Sequence, residues 1–438
     1  MNEKILRELR QTNGNICTDS RLAKKGDLFF ALKGERFDGN QYAKAAIEAG
    51  CVLAVIDNAA FAENNKYLVV DDALSTLQQL AKIHRGQINI PHIAITGSNG
   101  KTTTKELVQA VLSSHFRSMA TKGNLNNHIG VPVTLLSIKE QTEIAVVEMG
   151  ANHPGEIAAL CEIATPTHGL ITNIGKAHLE GFGSVENIAK AKGELFDYLK
   201  NNQGVIFANH DDPRLLALTG ELACISYGKK STNHCFGSII NSFPTLHIRF
   251  NTSGALGKTR QAVTGEINTH LTGSYNFENV MAAVTVGVYF GVPVEKIIAA
   301  IEAYRPVNHR SQLIETADNF IVMDAYNANP TSMAAALDNF SNYRDTKLAV
   351  MLGDMLELGS VAEAEHTEIV NKVKKSGFPI QIFVGKHFMG VCKPDKQTMV
   401  FPDVNQAAEW LENNPLKGYR ILIKGSRGIM MESLLRIL

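Results

Sequence analysis

The chain has no Cys-x-x-Cys pair, although it contains six cysteines in 438 residues. This scatter disfavours a zinc site or a disulfide framework and favours reduced, buried thiols. An excess of charge of either sign is also absent, because 43 lysines and arginines balance 43 aspartates and glutamates. The chain therefore lacks the basic excess that would attract nucleic acid or an anionic membrane, and any anionic ligand must be held by local groups.

Long apolar runs are missing too. The longest uncharged apolar stretch, residues 280–292, is too short to span a bilayer and predicts a buried helix. The first ten residues mix both charges and lack the apolar core of a signal peptide. We therefore expect a cytoplasmic protein without membrane insertion. The length of the chain predicts two to four domains.

The clearest motif is a glycine-rich loop between an apolar strand and a helix-forming segment. Its sequence is Thr-Gly-Ser-Asn-Gly-Lys-Thr-Thr, residues 96–103. Glycines let backbone N–H groups approach a polyphosphate, the lysine neutralises phosphate charge, and a threonine hydroxyl suits Mg²⁺. The predicted phosphate-binding residues are Gly97, Ser98, Asn99, Gly100, Lys101, Thr102 and Thr103.

This loop is shorter than the standard phosphate-binding motif. Four residues separate the first glycine from the Gly-Lys pair in the standard motif, whereas only Ser98 and Asn99 do so here. A glycine turn that precedes a lysine by chance is the alternative. The three threonines after Lys101 favour a protein that uses a nucleoside triphosphate.

The pattern of apolar runs predicts an α/β protein with three domains. Residues 1–85 alternate short strands with helices and form a small α/β domain. Residues 86–305 contain the glycine-rich loop and apolar strands separated by helices, which predicts a mostly parallel sheet, with an antiparallel addition from about residue 231. Residues 306–438 repeat strand and helix in a Rossmann-like pattern, without a G-x-G-x-x-G motif after the first predicted strand.

Three polar residues are expected near the carboxyl ends of the central strands, where ligands of a parallel sheet gather. Glu148 ends one strand and, with Thr102, offers oxygen ligands for Mg²⁺; a solvated strand end is the alternative. His178 follows the next predicted strand. Lys192 is predicted to open a helix, where an ordinary surface lysine is the alternative.

Two other sets of polar residues each allow a functional and a structural interpretation. Asn276 and Asn279 lie three residues apart near the start of a predicted helix, and their amides suit recognition of a base edge. Helix capping by Asn276 is the alternative. In the first domain, polar residues at 17–21 and 33–40 flank one strand, and they fit either a binding edge or ordinary turns.

Together these motifs resemble the Mur ligases, the ATP-dependent amide-bond-forming enzymes of peptidoglycan synthesis, over nearly all of the chain. The shortened loop is similar to that of this superfamily, which includes the folylpolyglutamate synthases. Thr331 stands where the diaminopimelate-adding members have an arginine, and the folylpolyglutamate synthases lack a domain like residues 1–85. The stretches that resemble the members that join D-Ala-D-Ala to UDP-MurNAc-tripeptide are residues 19–21 with 26–34, 123–132, 324–333 and 424–427.

The resemblance implies that ATP phosphorylates the terminal carboxylate of UDP-MurNAc-tripeptide, and that the amine of D-Ala-D-Ala attacks the resulting acyl phosphate. It implies that Lys101 contacts the β- and γ-phosphates, that Thr102 and Glu148 hold one Mg²⁺, and that His178 holds a second. Lys192 aligns with the family's carbamylated lysine, whose carbamate is an anionic oxygen ligand. The residues implied to be catalytic are Lys101, His178 and Lys192.

The resemblance also implies further ligand contacts. Asn276 and Asn279 fall where the family holds adenine, while Arg310 and Asp324 reach phosphate and ribose from the third domain, which is expected to close on ATP. The implied substrate-binding residues are Ser20 and Arg21 for UDP, Asn126 and Asn127 for the muramoyl-peptide, and Tyr326, Asn327 and Asn329 for the acceptor. A monomer is expected. Another ligase of the superfamily and a non-catalytic nucleotide-binding regulator are the alternatives.

Overall fold

The computed structural model describes residues 2–12, 15–35, 37–220, 223–343 and 347–438. Its strands form three main sheets of four, nine and six strands, which follow one another along the chain, and a two-stranded hairpin. Most neighbouring strands in the three main sheets are parallel, with helices in the connections. This architecture confirms the predicted α/β fold class.

The first sheet is small and parallel. Its region contains α1 (Asn2–Thr12), β1 (Ile16–Cys17), β2 (Leu28–Phe30), β3 (Lys33–Gly34), β4 (Phe37–Asp38), α2 (Ala43–Glu48), β5 (Leu53–Ile56), β6 (Tyr67–Val69) and α3 (Ala73–Gly86). The strand order is β1-β2-β5-β6, and β3 pairs with β4 in a separate hairpin.

Helix α3 attaches this region to the next one. The Asp72 side chain caps its first turn, and its apolar face belongs to the same buried core as Leu135 and Ile157. Near its end, the Arg85 guanidinium donates hydrogen bonds to the carbonyls of Ala164 and Thr165, at 3.0 and 2.9 Å. The helix therefore packs on both sides of the junction between the first and second sheets.

The second sheet is the largest. Its region contains β7 (His92–Thr96), α4 (Lys101–Ser113), β8 (Ser118–Ala120), α5 (Gly130–Leu136), β9 (Ile144–Glu148), α6 (Glu156–Ala164), β10 (His168–Ile171), α7 (Leu179–Phe182), α8 (Val185–Asn201), β11 (Val205–Asn209), α9 (Pro213–Thr219), β12 (Cys224–Gly228), β13 (Cys235–Asn241), β14 (His247–Thr252), β15 (Thr264–Asn268), α10 (Asn276–Phe290) and α11 (Val294–Ala303).

The strand order of the second sheet is β15-β14-β13-β12-β11-β10-β7-β9-β8. Strands β8 to β13 run parallel, and β13, β14 and β15 form the predicted antiparallel addition. All five residues of β7 are buried between β10 and β9, so the glycine-rich loop leaves the middle of the sheet. The apolar run at residues 280–292 falls largely within α10 and is buried, as predicted.

The third sheet has the order β16-β17-β21-β18-β19-β20 and is parallel except for the edge strand β16. Its region contains β16 (Gln312–Glu315), β17 (Phe320–Asp324), α12 (Pro330–Phe340), β18 (Lys347–Gly353), α13 (Ala362–Ser376), β19 (Ile380–Val384), α14 (Lys386–Val391), β20 (Thr398–Phe401), α15 (Val404–Asn413) and β21 (Tyr419–Lys424).

The cysteine side chains agree with the expectation of reduced, buried thiols. All six cysteines are free thiols, and five of them are buried. Within the described residues, no helix has both the length and the apolar character needed to cross a membrane.

A pH-dependent contribution to stability arises at His168, the first residue of β10. Its ring contacts those of Phe207, Tyr289 and Phe290, and burial lowers its pKa to about 4. The unfolded chain, with a histidine pKa of about 6.5, takes up this proton first as pH falls, so stability is lost below pH 6.5. We expect His168→Phe to remove this loss and to raise the free energy of unfolding, relative to wild type, by about 2 kcal/mol more at pH 5 than at pH 7.5.

Urea unfolding at pH 5 and pH 7.5 measures this difference. His115→Phe is the matched control, because His115 is exposed and, among the described residues, its ring contacts that of Phe116 alone. A pH-dependent gain in His168→Phe no larger than that in the control would contradict the prediction.

Candidate active site

A cavity of about 700 Å³ lies between the second and third sheets, at the carboxyl end of β7. It brings together most of the residues singled out in the sequence. The predicted residues that line it are Ser98, Asn99, Gly100, Lys101, Thr102, Thr103, Asn126, Asn127, Glu148, His178, Asn276, Asn279, Arg310, Asp324, Tyr326, Asn327 and Asn329. The predicted residues outside its lining are Gly97, Lys192, Ser20 and Arg21.

The glycine-rich loop needs glycine at two positions. Gly97 and Gly100 have φ angles of 142° and 78°. A Cβ atom at Gly97 would lie 2.0 Å from the Thr172 hydroxyl, and one at Gly100 would lie 2.5 Å from the Asn279 amide oxygen. Gly100 immediately precedes α4, so the loop ends at a helix N-terminus whose free N–H groups suit an anion.

Lys101 lies folded back on this loop. Its Nζ donates hydrogen bonds to the carbonyl oxygens of Gly97 and Ser98, at 2.6 and 3.3 Å. Burial lowers the pKa of Lys101 to about 8. Phosphate oxygens that replaced these carbonyl acceptors would gain a cation with little competing hydration.

Glu148 is a buried carboxylate, only 1% exposed, at the end of β9. Its Oε2 accepts a hydrogen bond from the Thr102 hydroxyl at 2.9 Å, and its Oε1 accepts one from the Asn126 amide at 2.8 Å. Lys105 Nζ lies 3.7 Å from Oε2. The alternative of a solvated strand end is therefore wrong, because β9 runs beside β7 and its end faces the helix that follows the loop.

The oxygen pair of Thr102 and Glu148 fits Mg²⁺. Within the described ranges, no three or more His, Cys, Asp or Glu residues cluster in a way that could hold a metal. Mg²⁺ suits such a site because it usually keeps several waters and takes its other ligands from one or two carboxylates and substrate phosphates.

Lys192 occupies the middle of α8, and its predicted position at the start of a helix is wrong. The helix begins at Val185 because the Ser184 side chain caps it by accepting a hydrogen bond from the Asn187 N–H. Lys192 is 1% exposed, so the surface-lysine alternative is also wrong. Its Nζ donates to the Ala151 carbonyl at 3.1 Å and lies 5.1 Å from the centre of the Phe182 ring. Burial, reinforced by the nearby Lys101 cation, lowers the pKa of Lys192 to about 7.

Asn276 and Asn279 form a buried amide network. The Asn276 amide donates to the Thr272 carbonyl, and its oxygen accepts from the Asn279 amide, both at 2.8 Å. Asn279 Oδ1 accepts from the Thr104 hydroxyl at 2.9 Å. Capping by Asn276 is wrong, because Asn276 is already the first residue of α10. The network joins α10 to α4, and contact with a base remains a prediction.

The third region contributes Arg310, Asp324 and Tyr326. Asp324 accepts hydrogen bonds from the Lys424 ammonium at 2.5 Å and from the Ser311 backbone at 3.1 Å. The guanidinium carbon of Arg310 lies 3.8 Å from the centre of the Tyr326 ring. The Nε atom of Arg310 is buried and has no hydrogen-bond partner in the described part of the chain.

Direct contacts join the second and third regions around the loop. The Asn329 amide donates to Asn99 Oδ1 at 2.8 Å, and the Lys176 N–H donates to the Thr331 hydroxyl at 3.2 Å. His178 Nδ1 lies 2.6 Å from Glu357 Oε2, and this imidazole holds the pKa of Glu357 below its ordinary value. The third region is therefore docked against the glycine-rich loop.

The charged residues to which sequence reasoning gave no role include Glu357, which lines the cavity, and Lys105 and Glu106 on α4. Glu357 follows β18 and was detectable by the same strand-end rule that found Glu148. Lys105 and Glu106 follow the loop, where the helical pattern alone gives them no role. Glu106 accepts hydrogen bonds from the Tyr304 hydroxyl and the Asn308 amide, both at 2.6 Å, and so ties α4 to the segment that precedes Arg310.

Ser20 and Arg21 lie apart from the cavity lining, in a short 3-10 helix of the first region. Arg21 is exposed and forms an ion pair with Asp19 at 2.6 Å. Asn127, by contrast, lines the cavity while its Oδ1 accepts hydrogen bonds from the N–H groups of Ile129 and Gly130. The UDP and muramoyl-peptide contacts of these residues remain predictions.

The shortened phosphate loop, the parallel sheet from which it leaves and the docked third region define the class of protein. Residues 14–94 match the catalytic domain of the Mur ligase family, residues 95–287 the Mur ligase middle domain, and residues 309–427 the glutamate ligase domain of Mur ligases. The chain belongs to the Mur ligase family.

Within this family, the chain is similar to the following named proteins. UDP-N-acetylmuramoyl-tripeptide--D-alanyl-D-alanine ligase of Bacillus subtilis (strain 168) is 35% identical, with 96% of this chain and 92% of that protein covered. The crystal structure of MurF from Acinetobacter baumannii superposes with a TM-score of 0.84 at 30% identity, over 98% of this chain and 97% of that one. MurF ligase from Thermotoga maritima, in complex with ADP, superposes with a TM-score of 0.80 at 26% identity, over 97% of each chain.

Proposed function

We propose that the protein is an ATP-dependent ligase that joins D-Ala-D-Ala to UDP-MurNAc-tripeptide and gives the pentapeptide precursor of peptidoglycan. The observation that supports this proposal is one cavity lined by the glycine-rich loop with Lys101, by the buried Thr102–Glu148 oxygen pair and by residues of the docked third region. The names of the full-length relatives support the choice of carboxylate and amine. The ADP in the Thermotoga maritima structure supports ATP as the phosphoryl donor.

The reaction has two steps. A carboxylate oxygen of the tripeptide attacks the γ-phosphorus of ATP, the bond to the β-phosphate oxygen breaks, and ADP leaves. The amine of D-Ala-D-Ala then attacks the acyl carbon, loses a proton, and expels inorganic phosphate. The first step brings two anions together, so cations must neutralise the transferring phosphoryl group.

The cations and metal ligands of the site suit the first step. Lys101 would contact the β- and γ-phosphates, Arg310 would approach them from the third region, and Thr102 with Glu148 would hold one Mg²⁺. Bound Mg²⁺ neutralises phosphate charge. His178 is proposed for a second ion together with a carbamate on Lys192. A pKa of about 7 supports that modification, because a neutral amine is needed to take up carbon dioxide.

The remaining predicted residues divide by substrate. Asn276 and Asn279 serve the nucleotide base, and Asp324 serves the ribose. Ser20 and Arg21 serve the UDP group, whereas Asn126 and Asn127 serve the muramoyl-peptide. Tyr326, Asn327 and Asn329 serve the acceptor. Docking of Asn329 on Asn99 supports closure of the third region over ATP, which would exclude water from the acyl phosphate.

We further propose that the three regions are domains with boundaries near residues 85 and 305. The proposed substrates, a nucleotide-activated peptide and a free dipeptide, suit a cytoplasmic enzyme. The protein is expected to be a monomer.

The decisive measurement is phosphate release from ATP and Mg²⁺ with UDP-MurNAc-tripeptide, in the presence and absence of D-Ala-D-Ala. Release that depends on D-Ala-D-Ala, together with the pentapeptide product in the mass spectrum, is the expected result. UDP-MurNAc-dipeptide with diaminopimelate or lysine is the control pair, and release with that pair only would assign the preceding ligation. ATP binding without release under either condition would favour the nucleotide-binding regulator.

Glu106 provides a test of how the linker to the third region, residues 304–308, is held in place. Glu106→Ala removes the acceptor of two hydrogen bonds and leaves the Tyr304 hydroxyl and the Asn308 amide without it. Each lost partner costs about 1–3 kcal/mol where the remaining group is buried. We expect a lower free energy of unfolding and about tenfold weaker ADP binding, because Arg310 follows this segment.

Urea unfolding and calorimetric titration with ADP measure the two effects. Glu295→Ala, at an exposed position on α11, is the control. Wild-type ADP affinity in Glu106→Ala would show that the linker is positioned by other contacts.

A further inference from the structure

Arg427 begins a short 3-10 turn that Gly425 and Ser426 separate from β21. Its guanidinium carbon lies 5.4 Å from the centre of the Tyr326 ring, the same ring that Arg310 contacts at 3.8 Å. Tyr326 lines the cavity. Two guanidinium groups therefore converge on one aromatic side chain of the candidate active site.

Neither guanidinium forms an ion pair with a carboxylate of the described residues, and Arg310 Nε is buried without a partner. The two groups are at most about 9 Å apart, so they repel each other, and an anion near both would offset this repulsion. A guanidinium presents a planar fork of N–H donors that matches the two oxygens of a carboxylate. This arrangement favours an anionic ligand beside Tyr326.

The two arginines have different surroundings. Arg310 lines the cavity together with Lys101 and the rest of the glycine-rich loop, which places Arg310 on the phosphate side. Arg427 lies beside the turn that contains Leu356, since Leu356 Cδ1 is 3.0 Å from the position of a Cβ at Gly428. Leu356 also lines the cavity. Arg427 is thus available for a second anionic group beside Tyr326.

The backbone that carries Arg427 is held firmly. The Ser426 hydroxyl accepts a hydrogen bond from the Leu356 N–H at 2.9 Å, and the Ser426 N–H donates to the Asp354 carbonyl at 3.1 Å. Ser426 is 3% exposed. A fixed backbone that carries an exposed guanidinium, with no carboxylate partner among the described residues, suits recognition of a ligand group better than a structural ion pair.

We propose that Arg427 binds the terminal carboxylate of the dipeptide acceptor, with Tyr326 as the surface beneath it. This inference rests on the proposed function, in which the acceptor's amine attacks an acyl phosphate held near Lys101 and Arg310. The amine and carboxylate ends of an extended dipeptide are separated by up to about 7 Å, which lies within the upper limit of about 9 Å on the distance between the two guanidinium carbons.

The test pairs two acceptors with two variants. Phosphate release is measured with D-Ala-D-Ala and with its C-terminal amide, which lacks the carboxylate charge. The proteins are wild type, Arg427→Ala, Arg427→Lys and the control Arg260→Ala, which changes an exposed arginine in the loop between β14 and β15. Urea unfolding confirms that each variant is folded.

Wild type is expected to prefer the acid over the amide by roughly 10- to 100-fold in kcat/KM, as a charge-assisted hydrogen bond supplies. In Arg427→Ala, kcat/KM for D-Ala-D-Ala is expected to fall by the same factor, while kcat/KM for the amide and the KM for ATP stay unchanged. The preference for the acid then disappears. Arg427→Lys should retain part of the preference, and Arg260→Ala should behave as wild type.

An active Arg427→Ala variant that keeps the wild-type preference would overturn the inference and leave the proposed function intact. An equal loss for both acceptors would also overturn it, because Arg427 would then act on a step that does not sense the carboxylate. Wild-type protein without any release dependent on D-Ala-D-Ala would instead refute the proposed function, and the inference with it.

Discussion

Replacing Lys101 with alanine is expected to lower kcat for phosphate release by about 100- to 1000-fold, the range seen when one preorganised charge-stabilising donor is removed. Lys101 is the cation nearest the start of α4, and in the structure its ammonium is satisfied by the carbonyls of Gly97 and Ser98. In the reaction it would neutralise charge on the transferring phosphoryl group. Without this cation, less positive charge offsets the repulsion between the phosphate oxygens and the substrate carboxylate, so the barrier to phosphoryl transfer rises.

The loss should not come from unfolding. Burial lowers the pKa of Lys101 to about 8, so the folded protein already bears the cost of desolvating this amine. We therefore expect Lys101→Ala to unfold at the same or a higher urea concentration than wild type. Lys66→Ala, an exposed lysine in the first region, is the control for a change of net charge. Turnover within tenfold of wild type in Lys101→Ala would remove this lysine from the proposed mechanism.

Replacing Lys192 with alanine is expected to lower turnover by at least about 100-fold and to allow partial rescue by added formate or acetate. The proposed carbamate supplies an anionic oxygen ligand from inside the protein, and a short carboxylate entering the space left by the lysine would supply the same oxygens. Lys190→Ala is a matched control, because Lys190 lies exposed on the same helix. No rescue at any carboxylate concentration would argue against a carbamate.

The pH dependence of carbamate formation gives an independent test. With a pKa of about 7, the Lys192 amine is about 90% neutral at pH 8 and about 10% neutral at pH 6. Wild-type enzyme that has been freed of carbon dioxide should therefore regain activity after addition of bicarbonate faster at pH 8 than at pH 6. Each sample is assayed at one common pH. Recovery independent of the incubation pH would contradict a reaction at this amine.

Local patterns were enough for much of the fold and part of the site. The apolar residues of β7, the two glycines and Lys101 are contiguous, so the loop was recognisable without knowledge of any distant residue. Short strands such as β8, β16 and β20 are hard to recognise from sequence, because three- or four-residue, partly buried segments have little periodicity. Lys192 was misplaced because the cap that starts α8, Ser184, lies eight residues earlier and was not recognised.

Long-range contacts decided the remaining properties of the site. Glu148 was ambiguous until β9 was found beside β7, because only that pairing brings its carboxylate to Thr102. The link from Glu106 to Tyr304 and Asn308 joins residues about two hundred positions apart, so no local pattern could reveal it. The same holds for the convergence of Arg310 and Arg427 on Tyr326.

Sequence alone was therefore sufficient for the α/β class, the phosphate loop and the family resemblance, because each depends on residues that are close together along the chain. Tertiary structure was needed to establish which charges are buried and which side chains face one another across the cavity. Burial shifts the pKa values of Lys101 and Lys192 because desolvation depends on every element packed around an amine. That environment is assembled from distant parts of the chain, and it exists only once the chain has folded.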